Sequence, residues 1–316
     1  MSESTDIVTG GAGFIGRALV GQLATLGHRV VVLDNLSLRA SREAPVLPPG
    51  AELVPGDVRD RSFVQSVLER ERPSTLFHLA AIHYIPACDE DPAGCVSVNT
   101  AGGASVLEAC TRVEAPPTCV VASTAAVYAP AEAAHREDDL LRPIDIYGLS
   151  KLWLEQLAEL YARRNGLRVR VARLFNVYGP GETNPHLIPS LVDQALAGGV
   201  IQTGNLSTQR DYVHVGDVAN ALVALATPSQ GDGIVCVNVG SGRAVSGLDV
   251  VDTIAHSMGR KLEIATDVSR LRPVDRPRLL SDPRRAADLL GWRARVSFED
   301  GIGDLVRKSL AAGVRI

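Results

Sequence analysis

Tyr147 and Lys151 are the two residues of this 316-residue chain whose types and spacing best suit proton chemistry. They stand four positions apart at the start of a helix-like segment, so both project from one face. A tyrosine ordinarily titrates at about 10 and is a poor base at neutral pH. A nearby ammonium, together with the positive ring of an oxidised nicotinamide, favours the phenolate and lowers that pKa. Such a tyrosine takes a proton from a hydroxyl as hydride leaves the same carbon. By itself Tyr-x-x-x-Lys is equally an exposed helix pair. Two further hydroxyls, Ser123 and Thr124, lie at the end of an apolar run and supply the context that a chance pair lacks.

Hydride chemistry needs an acceptor, and the first residues describe a place for one. Gly10-Gly11-Ala12-Gly13-Phe14-Ile15-Gly16 lies between an apolar strand-like run and a helix-like segment. Glycine permits the tight turn and the close backbone approach, and the helix N-terminus then faces a pyrophosphate. The alternative is a purely structural glycine turn. The second strand-like run ends in Asp34, placed to accept hydrogen bonds from an adenosine ribose diol, with Asn35 beside it. A carboxylate there repels a 2′-phosphate, so NAD is expected over NADP. Asp57-Val58 and Leu79-Ala80-Ala81 follow the third and fourth runs, at the carboxyl edge where open α/β sheets place their ligands. Asn99 opens the next helix-like segment and reads either as an N-cap or as a support for the site.

Short β-branched runs (Ile7–Thr9, Arg29–Asp34, Glu52–Pro55, Thr75–Leu79, Cys119–Ser123, Arg168–Phe175) alternate with helix-period segments (Phe14–Leu26, Arg61–Glu71, Ala101–Val113, Tyr147–Asn165). That alternation predicts an α/β fold with a Rossmann-type, doubly wound parallel sheet. After Phe175 the pattern breaks into Gly/Pro-rich connections. Leu187–Ala197 and Asp217–Ala226 read as helices, Asp211–Val215 and Val235–Val239 as strands, and Phe298–Leu310 as a surface helix. The expectation is a cofactor domain over 1–175, a return segment at about 211–240, and a smaller, interleaved α/β substrate lobe over 176–316.

Composition excludes several classes. Hydrophobic residues make up 46% and charged residues 22%, with a formal net charge of -4. That balance is an ordinary globular one and carries no basic footprint for nucleic acid or an anionic membrane. Five scattered cysteines, with no CxxC pair, suggest neither a disulfide framework nor a zinc site, and no metal is expected. No apolar run is long enough to span a bilayer, and a cytoplasmic location is expected.

Taken together these segments resemble the extended short-chain dehydrogenases that act on sugar nucleotides, the epimerases, dehydratases and decarboxylases similar to UDP-glucose 4-epimerase. The matches run nearly end to end: Thr9–Gly16, Asp34-Asn35, Gly56-Asp57, His78–Ala81, Ser123–Tyr128, Tyr147–Lys151, Arg173–Pro180, Arg210–Asp217, Asn238–Gly242, Arg272–Asp275 and Leu289–Trp292. The resemblance implies that Tyr147 is the base, that Lys151 orients the nicotinamide ribose, and that Thr124 hydrogen-bonds the hydroxyl being oxidised. It also assigns Asn176, Arg210 and Arg272 to a diphosphate and Asp275 to the neighbourhood of the nucleoside ribose. Guanidinium forks suit phosphate oxygens, although exposed arginines more often form surface salt bridges. Many relatives carry a Ser-Val pair where this chain has His83 and Tyr84, so His83 or Tyr84 is a candidate sugar contact. His78 and His214 read as structural, and Glu137-Asp138-Asp139 as a solvated loop.

The stretch Ser123-Thr124-Ala125-Ala126-Val127-Tyr128 discriminates between reactions. In related 4,6-dehydratases it supplies an acid and a base, and in double epimerases a cysteine; Ala125 and Ala126 can move no proton. Thr124, Tyr147, Lys151 and NAD suffice for reversible oxidation of one hydroxyl. The leading expectation is epimerisation of an NDP-hexose or hexuronic acid at C4 through a transient 4-keto sugar. An NDP-sugar 4,6-dehydratase with relocated groups and an NAD(P)H-dependent ketosugar reductase are the alternatives; a silent nucleotide-binding protein has no need of the Tyr147/Lys151 pair. UDP is favoured as the nucleotide, with GDP or CDP open. Helices over Ala101–Val113 and Lys151–Arg164 are expected to build a homodimer through a four-helix bundle.

Overall fold

Runs such as Arg-Val-Val-Val-Leu-Asp at 29–34 are apolar at successive positions, so both faces of the strand must be covered. The computed structural model meets that demand; it describes residues 4–37, 46–182, 184–227, 231–270 and 276–312. The first half comprises β1 (Thr5–Thr9), α1 (Phe14–Thr25), β2 (Arg29–Asp34), β3 (Ala51–Pro55), α2 (Arg61–Glu71), β4 (Thr75–His78), α3 (Ile85–Glu90), α4 (Pro92–Val96), α5 (Gly103–Thr111), β5 (Thr118–Thr124), α6 (Ile146–Asn165) and β6 (Val169–Leu174). The second comprises β7 (Asn176–Tyr178), α7 (Leu187–Ala197), β8 (Ile201–Thr203), β9 (Gln209–His214), α8 (Val215–Leu225), β10 (Ile234–Val239), β11 (Ala244–Ser246), α9 (Gly247–Met258), β12 (Ile264–Thr266), β13 (Arg278–Leu279), α10 (Arg284–Leu290) and α11 (Phe298–Ala312).

A seven-stranded sheet runs in the order β10-β6-β5-β4-β1-β2-β3, and every pairing in it is parallel. Strand alternation sends Val8, Val30 and Val32 into a core with Leu19 and Leu23 of α1 and Leu222 of α8. Ile7, Val31 and Leu33 point the other way, into a core with Leu68, Leu107 and Leu154 of α2, α5 and α6. The sheet is therefore doubly wound, as the sequence predicts. The chain order reverses between β1 and β4, and ligands of such sheets bind outside the carboxyl ends at that switch point.

Beyond β6 a four-stranded sheet forms with β11, β9 and β13 in line and β7 also on β9, while β8 and β12 pair separately. Its core joins Ile188, Leu191, Tyr212, Ile254 and Ile302 under α7, α9 and α11. Within 211–240, α8 and β10 join the large sheet's layers, whereas Asp211–His214 stays on the small sheet. Two motif carboxylates tie these connections down. Asp211 accepts from the Ser241, Gly242 and Ser281 amides, and Asp217 from the Arg295 and Val296 amides. No described helix is long and apolar enough to cross a membrane.

Candidate active site

The β1–α1 turn depends on backbone contacts that only glycine allows. Gly10 has φ +70°, and a Cβ there would lie 2.7 Å from the Ala80 amide nitrogen. A Cβ on Gly16 would lie 2.2 Å from the Gly10 carbonyl oxygen, so helix and turn touch directly. Gly13 caps α1 with extended backbone. The Phe14 and Ile15 N–H groups, in the first turn, have no intrahelical acceptor and face the carboxyl edge of the sheet. Asp34 ends β2 with Oδ2 accepting from the Ala12 amide (3.0 Å) and Oδ1 from the Leu36 amide (2.8 Å). Each carboxylate oxygen keeps a further lone pair, so the fit to a ribose diol survives. Asn35 donates to Asp57 (3.1 Å), whose carboxylate also grips Arg59. Those Arg59 bonds hold the Asp57 carboxyl well below the usual range despite partial desolvation. Val58 is buried behind it.

Asn99 does not cap a helix. It lies inside a π-helical stretch, Ser97–Gly102, that precedes α5, and its side chain is fully buried. Its Oδ1 accepts from the Ile82 amide (2.8 Å) while Nδ2 donates to the Ile82 carbonyl (2.9 Å) and to Ser150 (3.0 Å). The extra residue per turn swings the amide inward, where it pins the chain just after Leu79-Ala80-Ala81 to helix α6.

The candidate reacting groups sit where β5 ends and α6 begins. Asp145 caps α6 by accepting from the Gly148 amide (2.7 Å), setting Tyr147 in the first turn. Burial raises the Tyr147 pKa, and the neighbouring Thr124 hydroxyl opposes the rise. Lys151, one turn on, is buried and donates to the Ala122 carbonyl (2.9 Å). Burial pushes its ammonium down to about 8. Thr124 Oγ1 also accepts from the Ala126 amide (3.1 Å), closing a single 3₁₀ turn over Ala125–Val127.

Ser123, paired with Thr124 in the sequence reading, points the opposite way, as alternation along β5 requires. Its hydroxyl meets Glu155, which forms a buried ion pair with Arg173 (2.7 Å). Arg173 donates onward to the Tyr128 hydroxyl (2.9 Å), which donates to Asn238 (2.7 Å). The Asn238 amide donates to Glu137 (2.7 Å). Glu137 is therefore a buried anchor and not part of a solvated loop. Only Thr124 of the two hydroxyls enters the cleft.

His83 is strapped by Asn184, whose Nδ2 donates to Nε2 (2.8 Å). Burial pushes its imidazole down to about 4, helped by His186 and Lys151 and opposed by a bond to the Ala81 backbone. His186 bonds the buried Glu182 carboxylate and packs against Tyr84. This Glu182–His186 group was missed by the sequence reading; it has no motif, and only the fold carries it to His83. Arg17 of α1 reaches the same loop through the Gly181 carbonyl (2.7 Å). Asn176 begins β7, and its buried Oδ1 has no partner among the described residues. Arg210 of β9 donates to the carbonyls of Gln209 (2.9 Å) and Arg276 (2.8 Å). Arg272 and Asp275 lie outside the described residues.

A glycine turn thus faces a strand-end carboxylate, with a Thr-Tyr-Lys set at the same sheet edge. Residues 7–240 fit the model of the NAD dependent epimerase/dehydratase family. The chain belongs to that family. A UDP-glucose 4-epimerase from Azospirillum brasilense is 34% identical, over 96% of this chain and 90% of its own length. The structure of the Thermus thermophilus UDP-glucose 4-epimerase complexed with NAD is 33% identical, with a TM-score of 0.86 over 98% of this chain and 99% of that one. MoeE5 in complex with UDP-glucose and NAD is 32% identical, with a TM-score of 0.87 over 98% of this chain and 100% of that one.

In this family member His78 is a packing residue, as expected: its Nδ1 meets Thr9 Oγ1 (2.8 Å), and burial pushes the imidazole down to about 3, neutral at any working pH. His214 caps α8 through its Nδ1 and stacks edge-on against Tyr178, also as expected.

Proposed function

We propose that this protein interconverts the C4 epimers of a UDP-hexose or UDP-hexuronic acid with NAD bound. The carrying observation is Tyr147 at the start of α6 beside the Thr124 hydroxyl and one turn before buried Lys151, with apolar Ala125 and Ala126 where a second acid–base pair would have to stand. Residues 1–175, with the return at about 211–240, hold the cofactor. Gly10, Gly13, Phe14, Ile15 and Gly16 take the pyrophosphate, and Asp34 and Asn35 the adenosine ribose. Asp57 and Val58 line the adenosine end, Leu79, Ala80 and Ala81 pass beneath the cofactor, and Asn99 holds that segment through Ile82. When bound, NAD supplies a reversible hydride acceptor at the reacting carbon.

Residues 176–316 hold the sugar nucleotide. Arg210, Arg272 and Asn176 take the diphosphate, Asp275 the nucleoside ribose, and His83 the sugar side. Thr124 orients the C4 hydroxyl, and Tyr147 removes and later returns its proton. Burial alone makes Tyr147 a weak base, so its phenolate depends on the neighbouring Thr124 hydroxyl, on the Lys151 ammonium and on the cofactor's positive ring. Lys151 also orients the nicotinamide ribose. UDP is favoured over GDP or CDP because relatives of this length and similarity act on UDP-glucose. Two copies pack through α5 and α6; the exposed Trp153 on α6, with Leu157 and Tyr161 on the same helix, suits that contact. Free cysteines at all five positions suit a reducing cytoplasm.

Conversion of UDP-glucose and UDP-glucuronic acid in D2O tests the reading. The expected product has the mass of its substrate, differs at C4 by proton NMR, carries no deuterium on carbon and needs no added reductant. Loss of water, or one deuterium at C5, sinks it, because either requires deprotonation of C5 by a carrier absent from Ala125 and Ala126.

A further inference from the structure

Arg276 is a buried cation that no step above uses, and only 6% of it is exposed. Its guanidinium forks onto two backbone carbonyls of the turn that follows Thr124. Nη1 donates to Tyr128 (2.8 Å) and Nη2 to Ala126 (2.9 Å). Burial lowers its pKa, the nearby Asp145 carboxylate opposes the shift, and Arg210 adds to it.

Ala126 is a junction between two peptide groups. Its N–H is bonded to Thr124 Oγ1, and its carbonyl to Arg276. Helix α6 rests on the same group, because a Cβ on Gly148 would lie 2.6 Å from the Ala126 carbonyl oxygen. Gly148 directly follows Tyr147. The backbone on either side of Ala126 thus bears on the Thr124 hydroxyl and on the first turn that carries Tyr147. At its other end Arg276 meets the small sheet, since its own carbonyl accepts from Arg210 (2.8 Å) and the neighbouring Pro277 carbonyl accepts from the Gln209 amide (2.8 Å). One residue therefore links β9, where Arg210 sits, to the peptide beneath Thr124 and Tyr147. Apolar packing could fill the volume of Arg276, but only a planar, two-pronged donor fixes two carbonyls in one orientation.

We propose that Arg276 is a positioning residue that carries diphosphate binding at Arg210 to the Thr124–Tyr147 pair, so that the nucleotide aligns the reacting hydroxyl. This rests on the assignment of Arg210 to a diphosphate. It is one way in which binding energy from a non-reacting part of a substrate is expressed at the reacting carbon.

The holoenzyme with tyrosines labelled at 13Cζ provides the test, with Tyr147 assigned by its loss in Tyr147→Phe. Addition of UDP alone is expected to move the Tyr147 resonance of the wild type. In Arg276→Lys the resonance should stay in place although UDP binds with unchanged affinity. With UDP-glucose, kcat should fall roughly tenfold in Arg276→Lys and roughly a hundredfold in Arg276→Met, with KM within about twofold, as expected for misplaced reacting groups. A wild-type Tyr147 resonance indifferent to bound UDP overturns the proposal. So does a lysine variant that loses UDP affinity in step with kcat, or one whose kcat is unchanged. Should Arg276→Met fail to fold, the lysine variant decides alone. A wild type that binds no UDP at all refutes the nucleotide assignment, a result distinct from a bound but silent UDP.

Discussion

The two ends of the cleft are built in opposite ways. At the cofactor end, strand, turn, helix cap and glycines are neighbours in the chain, and Gly10, Gly13 and Gly16 fall within seven residues of sequence. Close backbone contacts there seat the turn on Ala80 and Asp34, at the ends of the neighbouring strands. At the proposed sugar end, His83, Arg210 and Arg276 come from separate strands and loops, and side-chain hydrogen bonds hold them in place. Beneath the junction, Glu155 and Arg173 join β6 to α6, and Tyr128, Asn238 and Glu137 extend the connection to β10. A site assembled locally is specified by turn chemistry. One assembled from afar must be specified by satisfied buried polar groups, which are costly when left half-paired.

Breaking the buried network should give the largest effect. Arg173→Met leaves Glu155 as an uncompensated buried carboxyl and strands the Tyr128 hydroxyl. The expected loss is about 3–5 kcal/mol in urea unfolding monitored by circular dichroism. A loss no larger than that of a surface substitution would show that distant polar links do not hold this end together.

Next comes Tyr147→Phe, which stands at the meeting of the two ends and should spare both. NAD content and UDP affinity are expected to match the wild type, with turnover reduced by at least about 100-fold. Near-normal turnover would remove Tyr147 from proton transfer; lost binding would place it among the structural residues.

The smallest effect is expected from Gly16→Ala, a one-carbon perturbation confined to the cofactor end. The added Cβ would press on the Gly10 carbonyl, so the turn must open, at about 1–3 kcal/mol of overpacking strain. NAD should be lost on gel filtration while UDP still binds to the small-sheet side. If UDP affinity falls together with NAD, the two ends are not separable and the contrast drawn between them fails.

Much of the cofactor end was legible in the sequence. The β2 and α2 bounds agree with the structure residue for residue, and Tyr147 stands in the first turn of a helix as its spacing with Lys151 predicted. Asn99 illustrates the limit: its place before an apolar helical run left a cap and a supporting role both open, and a π-helical turn directs the amide to Ile82. Periodicity encodes which face of a helix is buried and says nothing about an extra residue in one turn. Glu137, read as part of a solvated loop, became buried because Asn238 and Arg285 stand opposite it. Ser123 and Thr124 were equivalent as hydroxyls, and strand alternation sent only Thr124 into the cleft.

The sequence by itself determined the parallel sheet, the glycine turn, Asp34 at the end of its strand, and the Tyr147/Lys151 face. Each of these depends on residues within one element or one connection, where backbone sterics and periodicity act directly. Tertiary structure alone decided that His186, bonded to Glu182, meets His83, that Arg17 reaches Gly181, and that Arg276 joins Arg210 to the turn beneath Tyr147. Those partners lie in segments far apart in the chain. No local preference selects among the many carbonyls an arginine could meet, and the choice is made only when the packed core brings one pair of them within reach.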